Sequence, residues 1–391
     1  MNVIKYISLV ISILTFGLIQ NSYAQSAKVQ EAITALQAAD YHKAQTAIDL
    51  ASTTYPTNNQ SKTWYYKSFI YKELYKNTTN NDYVTATLLS VEKCIKLDTT
   101  QKYVASVKEI AKFMLASEKI KSTQFFNDKN YNQAYTTAIN ILKWKSTLQF
   151  PFADTTTTYI AGISAYNIKN NQDAIVYLNK SIELAFTNPL IYATLADIYI
   201  HKNDINNANK ILNLATDTYP TDTVLANIKI VYLKNTKQTN ELINILKTSI
   251  PLFKNSIPKK ILLAKTYEEL AQKDEVGKNL HLQNTEKLYI EVINNEDNNL
   301  IANAGLGIIY YNQAVEIINK QSYDIDVVTL NQIQDECVLI FKKALPYMLK
   351  AYNIDKLNYN TLEGLSGIYF GLNDIPNSNK YKEELNKIKK K

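Results

Sequence analysis

The stretch PLIYATLADIYIHKNDINNANKILNLATDTYPTD, residues 189–222, decides the fold of this chain. Apolar residues recur at helical spacing over 192–199 and predict a first amphipathic helix, helix A. Residues 204–207, Asp-Ile-Asn-Asn, predict a turn, and a second apolar series over 208–215 predicts helix B. Pro220 ends helix B, because proline cannot continue a helix interior. The stretch therefore predicts one complete helix-turn-helix unit.

The same unit recurs along the chain with a fixed period. Four pairs of similar residues stand 34 positions apart: Gly162 and Ala196, Ala174 and Ala208, Leu178 and Leu212, Ser181 and Ala215. Two antiparallel helices approach closely only where side chains are small, so the Gly, Ala and Ser members of these pairs mark the contacts between helices. A period of this length is typical of a helical repeat array.

These residues resemble the tetratricopeptide repeat (TPR) family, whose signature is W-x2-L-G-x2-Y in helix A and A-x3-F-x2-A followed by Pro in helix B. Matching residues occur along the whole chain after residue 24, although the large aromatic residue of helix B is mostly Leu, Ile, Val or Met. The resemblance implies an all-α fold, a right-handed superhelical solenoid of about nine TPR helix-turn-helix repeats. The quoted matches include Ala44, Ala51, Trp64, Tyr71, Cys94, Ala134, Ala138, Leu263, Tyr267, Leu306, Gly307, Tyr310, Ala344, Leu365 and Tyr369.

Three repeats are longer than the rest, and one stretch suggests a boundary. We expect insertions at 72–83, at 270–284 and at 312–336, the last followed by an early start of helix B that Pro346 kinks or restarts. Such insertions, and the W-Y-Y-K run at Trp64, resemble exported repeat proteins of the Bacteroidota. The predicted division is a signal peptide (1–24), an N-terminal stack of about three repeats (25–148), a linker (149–154), and a C-terminal stack of about six repeats with a lysine-rich tail (155–391).

The N-terminus predicts export. Lys5 precedes an apolar run that is short for a bilayer span, and Ser22-Tyr23-Ala24 offers the small residues of a signal-peptidase site. An uncleaved anchor is the alternative. We expect an exported protein, with the periplasm first and the wider envelope or secretion as alternatives, and no transmembrane segment after cleavage. Cys94 and Cys337 are predicted to be packed thiols.

Charge and motifs exclude several function classes. The formal net charge is +7, yet all 43 basic residues are lysine, whereas nucleic-acid readers rely on arginine. We therefore expect no nucleic-acid partner. His42, His201 and His281 lie in different repeats without metal-ligand spacing, and no phosphate-binding or nucleophile motif is present. The sequence predicts no enzyme, no metal and no cofactor.

Binding is predicted on the helix A side of the repeats, which lines the concave face in the TPR family. The resemblance implies contacts from the second, fifth, ninth, twelfth and thirteenth positions of each repeat. Carried onto this chain, the candidates for partner binding are Tyr159, Ile163, Tyr166, Asn167, Asp197, His201, Asn227, Lys234, Asn235, Lys265, Tyr311 and Asn312.

Two functions from different classes follow from these positions. The first is an exported, non-enzymatic scaffold or adaptor that binds a protein or peptide on the concave surface. The alternative is an envelope carrier or assembly factor that binds polysaccharide or lipid in a tyrosine-rich groove. Tyrosines clustered on helix A would favour the carrier, whereas tyrosines in buried slots would not. The TPR mode that clamps a terminal carboxylate needs lysine at the fifth position, where Tyr159, Ala193, Asn227 and Ile261 stand.

Overall fold

The computed structural model describes residues 27–150, 154–321 and 324–389, and all regular structure within these ranges is helical. The predicted signal peptide and the last two lysines lie outside them. The chain divides into two compact units, Met1–Ala208 and Asn209–Lys391. The sequence places the boundary at 149–154 instead, and that division stays a prediction. Helices α6 and α7, on either side of this stretch, pack against each other.

Unit 1 is a succession of helix pairs. Its helices are α1 (27–37), α2 (Tyr41–Thr53), α3 (Ser61–Thr78), α4 (Asn81–Leu97), α5 (Val104–Asn127), α6 (Tyr131–Thr147), α7 (Thr155–Asn167), α8 (Asn171–Glu183) and α9 (Pro189–His201). Helix α10 (Ile205–Thr218) spans the division between the units.

Unit 2 continues the alternation of A and B helices. It contains α11 (Thr223–Asn235), α12 (Thr239–Ser249), α13 (Ile257–Ala271), α14 (Lys278–Asn295), α15 (Leu300–Asn319), α16 (Val327–Ile354), α17 (Tyr359–Gly371) and α18 (Ile375–Lys389). Consecutive helices pack as antiparallel pairs, such as α13 with α14 and α17 with α18. The predicted all-α solenoid of helical repeats is confirmed.

The repeat period is visible in the backbone. Helices α7, α9 and α11 begin at residues 155, 189 and 223, and their B partners begin at 171, 205 and 239. The turn between the two helices contains one residue in the left-handed region, at φ 66° in Lys169, 55° in Asn203 and 56° in Lys237. None of the three is glycine, although this region costs other residues about 1 kcal/mol.

Asparagine and aspartate begin the helices. Asp154, Asn188 and Asp222 recur with the same period and cap the three A helices by accepting hydrogen bonds from backbone N–H groups in the first turn. Asn170 caps α8 in the same way. Each cap satisfies an N–H that the helix leaves unpaired, which is worth about 1 kcal/mol.

Small residues lie at the predicted helix contacts. Ala174, Ala196 and Ala208 are completely buried. Gly162 lies so close to Leu178 that an added Cβ would come within 2.7 Å of its side chain. Because a larger residue has no room at such a contact, the size pattern in the sequence fixes which helix faces meet.

The longer repeats contain longer helices. Helices α3 and α4 have 18 and 17 residues, and α16 has 28, against 13 in α7 and α8. Helix α16 is continuous, so of the two predicted effects of Pro346 the restart is wrong and the kink stays a prediction. Its length is about 42 Å at 1.5 Å per residue.

The two cysteines are free and buried, as predicted. The Cys94 thiol donates to the Ser61 carbonyl at 3.4 Å, and the Cys337 thiol to the Ala314 carbonyl at 3.7 Å. Burial raises the pKa of both thiols, that of Cys94 to about 12. Both side chains therefore behave as small packing residues.

Candidate partner-binding surface

The A helices of unit 1 form one layer. Helix α5 packs against α3 on one side and α7 on the other, and α7 packs against α9. We call this set of four helices the A-helix layer. Because neighbouring A helices are in contact, their exposed side chains form a continuous surface along unit 1.

Two predicted contact residues are not on that surface. Tyr159 is 8% exposed and Ile163 is 4% exposed. The Tyr159 ring contacts the rings of Phe126 and Phe186, and its hydroxyl accepts a hydrogen bond from Asn188 at 3.3 Å. Both side chains serve packing, because aromatic residues from neighbouring segments cover this part of α7.

The other four predicted residues of unit 1 lie at the C-terminal ends of α7 and α9. The Tyr166 hydroxyl donates to Asp197 at 2.6 Å, and this bond raises the pKa of Tyr166 to about 12. His201 Nδ1 is 3.2 Å from the same carboxylate, and His201 is exposed. Asn167 is exposed and donates to the Ile163 carbonyl at 2.8 Å. The structure therefore brings three of these residues together, around Asp197.

The predicted residues of unit 2 lie on α11, α13 and α15. Five of them have exposed side chains: Asn227, Lys234, Asn235, Lys265 and Asn312. The sixth, Tyr311, is half-buried, with its ring against Phe341 and Gly367. Binding by any of these residues stays a prediction.

A recess that the sequence did not predict lies between α5, the C-terminal end of α6 and the start of α7. It has a volume of about 390 Å³. We call it the lysine recess and define it by its lining residues: Lys112, Leu115, Ala116, Lys119, Lys145, Phe150 and Asp154. Leu115, Ala116 and Lys119 follow Lys112 by three, four and seven positions, so these four share one face of α5.

One buried carboxylate organises this recess. The Asp154 side chain is 3% exposed and accepts from Lys119 Nζ at 2.9 Å and from Lys145 Nζ at 2.6 Å. Burial alone would raise the pKa of Asp154, but hydrogen bonds from Lys145, Lys119 and Thr157 hold it well below its usual range. Asp154 is therefore ionised and fixes two ammonium groups at the recess.

The repeat pattern does not reveal the recess because the third repeat is out of phase. One period before the turn residue Lys169 lies Tyr135, whereas the turn residue of the third repeat is Lys129. Counting back from that turn places Lys119 where the next repeat has Tyr159, the fifth position of the TPR pattern. That count would have found Lys119. It would not have found Lys145 or Asp154, which reach the recess from helix ends.

Several tyrosines connect two helices through a hydrogen bond to a carboxylate. In unit 1, the Tyr71 hydroxyl of α3 donates to Asp49 of α2 at 2.8 Å. In unit 2, Tyr289 of α14 donates to Glu268 of α13 at 3.0 Å. The same kind of bond joins Tyr135 to Asp173, Tyr310 to Glu286, and Tyr352 to Glu384. These tyrosine hydroxyls thus stabilise the packing of one helix against another.

Histidine and acidic side chains do not gather into a metal site. In the part of the chain that the structure describes, no group of three or more His, Cys, Asp and Glu side chains could hold a metal ion. His281 Nε2 does contact Asp274 at 3.0 Å, and its ring stacks on Tyr267. No helix within the described ranges is long and apolar enough to cross a lipid bilayer.

The all-helical fold and the 34-residue period of its helix pairs define the class of this protein. It is an α-solenoid of helical repeats. No family model matches the chain, and no curated protein matches it in sequence. Many solved structures of TPR proteins are similar to it. The C-terminal part of a TPR repeat-containing protein from Cytophaga hutchinsonii is 13% identical, with 68% of this chain and 93% of that chain covered and a TM-score of 0.41.

Two further structures show the same kind of likeness. A TPR protein from Parabacteroides merdae is 9% identical over 70% of this chain and 93% of that chain, with a TM-score of 0.36. A TPR repeats protein from Bacteroides fragilis is 16% identical over 70% and 97%, with a TM-score of 0.28. At such identities the likeness concerns the fold alone. Together with the periodic helix pairs, the resemblance to TPR proteins is confirmed.

Proposed function

We propose that this chain is an exported scaffold that binds a protein or peptide partner on its A helices and catalyses no reaction itself. The observation that carries the proposal is the A-helix layer of unit 1, in which four A helices present one continuous surface. An extended partner segment fits such a surface because it can contact several repeats at once. Export is proposed from the signal-like N-terminus, with the periplasm as the location.

The surface has the chemistry of a protein interface. Lys112, Asn167 and His201 are exposed on three successive A helices and offer hydrogen-bond donors, and the accessible Phe150 lies near Lys112 at the recess. Asparagine side chains both donate and accept, as the backbone of an extended peptide requires. These groups support a polypeptide partner.

The carrier alternative is less well supported. It requires tyrosines that are free to stack on a sugar ring or contact a lipid chain. Tyr159 is buried, and Tyr166 is bonded to Asp197. The five other tyrosine bonds to carboxylates described above also run between helices, so these side chains are already engaged in the fold.

Site-specific photo-crosslinking in cells tests the scaffold proposal. A photoreactive phenylalanine analogue is placed at Ala116, Asn167 or His201 of the A-helix layer, and at Val176, which is 55% exposed on helix B α8, as the matched control. We expect one defined envelope protein to be captured from the A positions and not from Val176. Capture from Val176 alone, or from none of the four positions, would contradict the proposal.

A further inference from the structure

We propose that the lysine recess binds a carboxylate that is carried next to an apolar group. In the partner, this is an acidic side chain beside an aromatic or large aliphatic residue. The proposed site presupposes the proposed function, because it defines the chemistry of the partner segment where the A-helix layer meets the end of α6. It uses Lys112 and Lys145, which stand at none of the ligand positions that the TPR resemblance implies.

Donors for the carboxylate are already in place. Each lysine ammonium has three N–H donors. Lys119 and Lys145 each give one to Asp154, at 2.9 Å and 2.6 Å. Asp154 therefore holds both ammonium groups at the recess while leaving further donors on each. A ligand that meets preorganised donors loses less free energy in ordering them.

The recess has an excess of positive charge. Three lysines line it and Asp154 is the one carboxylate among the lining residues. Lys112 also pairs with Glu109 at 2.6 Å, but both side chains are largely exposed, 52% and 70%. Exposed pairs of this kind contribute about 0–1 kcal/mol. A ligand carboxylate therefore displaces Glu109 at little cost.

An apolar wall stands beside these charges. Leu115 is 4% exposed and belongs to the hydrophobic core of the preceding helices, against which Phe150 also packs. Ala116 is exposed and leaves open space on α5. The volume of about 390 Å³ is small for a ligand site and suits one or two side chains. Leu115 forms the buried base of this wall, and an apolar group next to the carboxylate would remove the accessible parts of Phe150 and Ala116 from water.

The charged and apolar parts together select the ligand. Lysine ammonium groups alone bind any anion, inorganic phosphate included. A bare inorganic anion leaves the accessible parts of Phe150 and Ala116 in water, whereas an acidic side chain with an apolar neighbour covers them. The geometry thus favours a carboxylate on a polypeptide.

Three dipeptide probes separate the possible sources of the carboxylate. N-acetyl-Glu-Phe-amide carries it on a side chain, N-acetyl-Gln-Phe carries it at the chain terminus, and N-acetyl-Gln-Phe-amide carries none. Affinities are measured by saturation-transfer NMR on the full chain, with inorganic phosphate as competitor. We expect the Glu-Phe amide to bind about tenfold more tightly than the Gln-Phe amide, the effect of one charge-assisted hydrogen bond.

Variants place the binding in the recess. Lys112→Gln should weaken the Glu-Phe amide about fivefold without disturbing Asp154, and Ala116→Glu should abolish its binding by placing a competing carboxylate in the recess. Lys180→Gln is the matched control, because Lys180 forms an exposed pair with Glu183 as Lys112 does with Glu109. Circular dichroism confirms that each variant is folded.

Several results would overturn this site. Equal affinity for the Glu and Gln amides, or no change in Lys112→Gln and Ala116→Glu, excludes a carboxylate at the recess. Tighter binding of N-acetyl-Gln-Phe excludes the side-chain source in favour of a chain terminus, and full competition by phosphate at equal concentration excludes the apolar requirement. Crosslinks from Asn167 and His201 that persist in Ala116→Glu would leave the scaffold standing while the recess fails.

Discussion

Asp154 and Asp222 hold the same place in two repeats and perform the same backbone task. Each caps an A helix, Asp154 by accepting from Thr157 N at 3.1 Å and Asp222 by accepting from Val224 N and Leu225 N at 2.9 Å. Their surroundings differ. Asp154 is buried with two lysines, whereas Asp222 is half-buried and only a cap is seen there. The repeat position therefore predicts the cap, and the neighbouring residues determine what else the side chain does.

Removing the carboxylate should reduce stability much more at Asp154 than at Asp222, and this should be the largest of the expected effects. We expect Asp154→Ala to lower the free energy of unfolding by about 2 to 3 kcal/mol, because it leaves two lysines without their buried partner and removes a cap. The value is below that of a fully buried pair because Lys119 and Lys145 are 40% and 25% exposed. Denaturant unfolding followed by tryptophan fluorescence measures it, since Trp64 and Trp144 both belong to unit 1.

Lowering the pH should remove most of the stability that the ionised Asp154 carboxylate contributes. The folded-state pKa of Asp154 is lowered, so its contribution is fully present above the unfolded pKa of about 4 and is lost as the pH falls below it. The stability gap between the wild type and Asp154→Asn should shrink by at most about 1.4 kcal/mol per pH unit below pH 4. Asp154→Asn keeps the capping oxygen and so isolates the charge. A gap that is constant from pH 7 to pH 3 would show that the ion pairs contribute nothing.

The cap alone should give a smaller loss. We expect Asp222→Ala to lower the free energy of unfolding by about 1 kcal/mol, the usual effect of an N-cap. Far-UV circular dichroism during denaturation measures it, because unit 2 has no tryptophan. Asp222→Asn, which retains the cap, should be close to the wild type. A loss as large as that of Asp154→Ala would remove the distinction between the two positions.

The turns should show no difference at all between the repeats. Lys129 and Lys237 have φ values of 59° and 56°, in the left-handed region, and both are exposed. Lys129→Gly and Lys237→Gly should each raise the free energy of unfolding by about 0.5 kcal/mol, because glycine adopts this φ without strain but loses more entropy on folding. Unequal gains, measured from the unfolding midpoints, would mean that the turn geometry depends on the surroundings as the carboxylates do.

The sequence could predict the fold because the period restricts residue types. Ala174 and Ala208 are buried contacts one repeat apart, and at such contacts only small side chains fit. The site was harder to predict. The two exposed positions Asn167 and His201 follow from the family pattern, but Tyr159 is covered by Phe126 and Phe186, which no single-repeat pattern includes.

The lysine recess shows why the remaining part of the site could not be predicted from the sequence. Lys119, Lys145 and Asp154 belong to α5, α6 and the start of α7, and they meet only when these three elements pack. An inserted length of helix shifts the phase of the third repeat, so its lysine does not align with the regular units. The position of a residue within its own repeat can be predicted from the local sequence. A charge cluster between repeats also depends on the length of each helix, which the repeat pattern does not give.

The reactivity of the two buried thiols can report local opening of the helices in each unit separately. Cys94 belongs to unit 1 and Cys337 to unit 2, and they are 0% and 4% exposed. A thiol with a raised pKa that is hidden from solvent reacts with an alkylating reagent only during a transient opening of the helices around it. Peptide mass spectrometry separates the alkylation of Cys94 from that of Cys337 in the wild-type protein. The two rates would therefore report how often each unit opens locally, independently of the other unit.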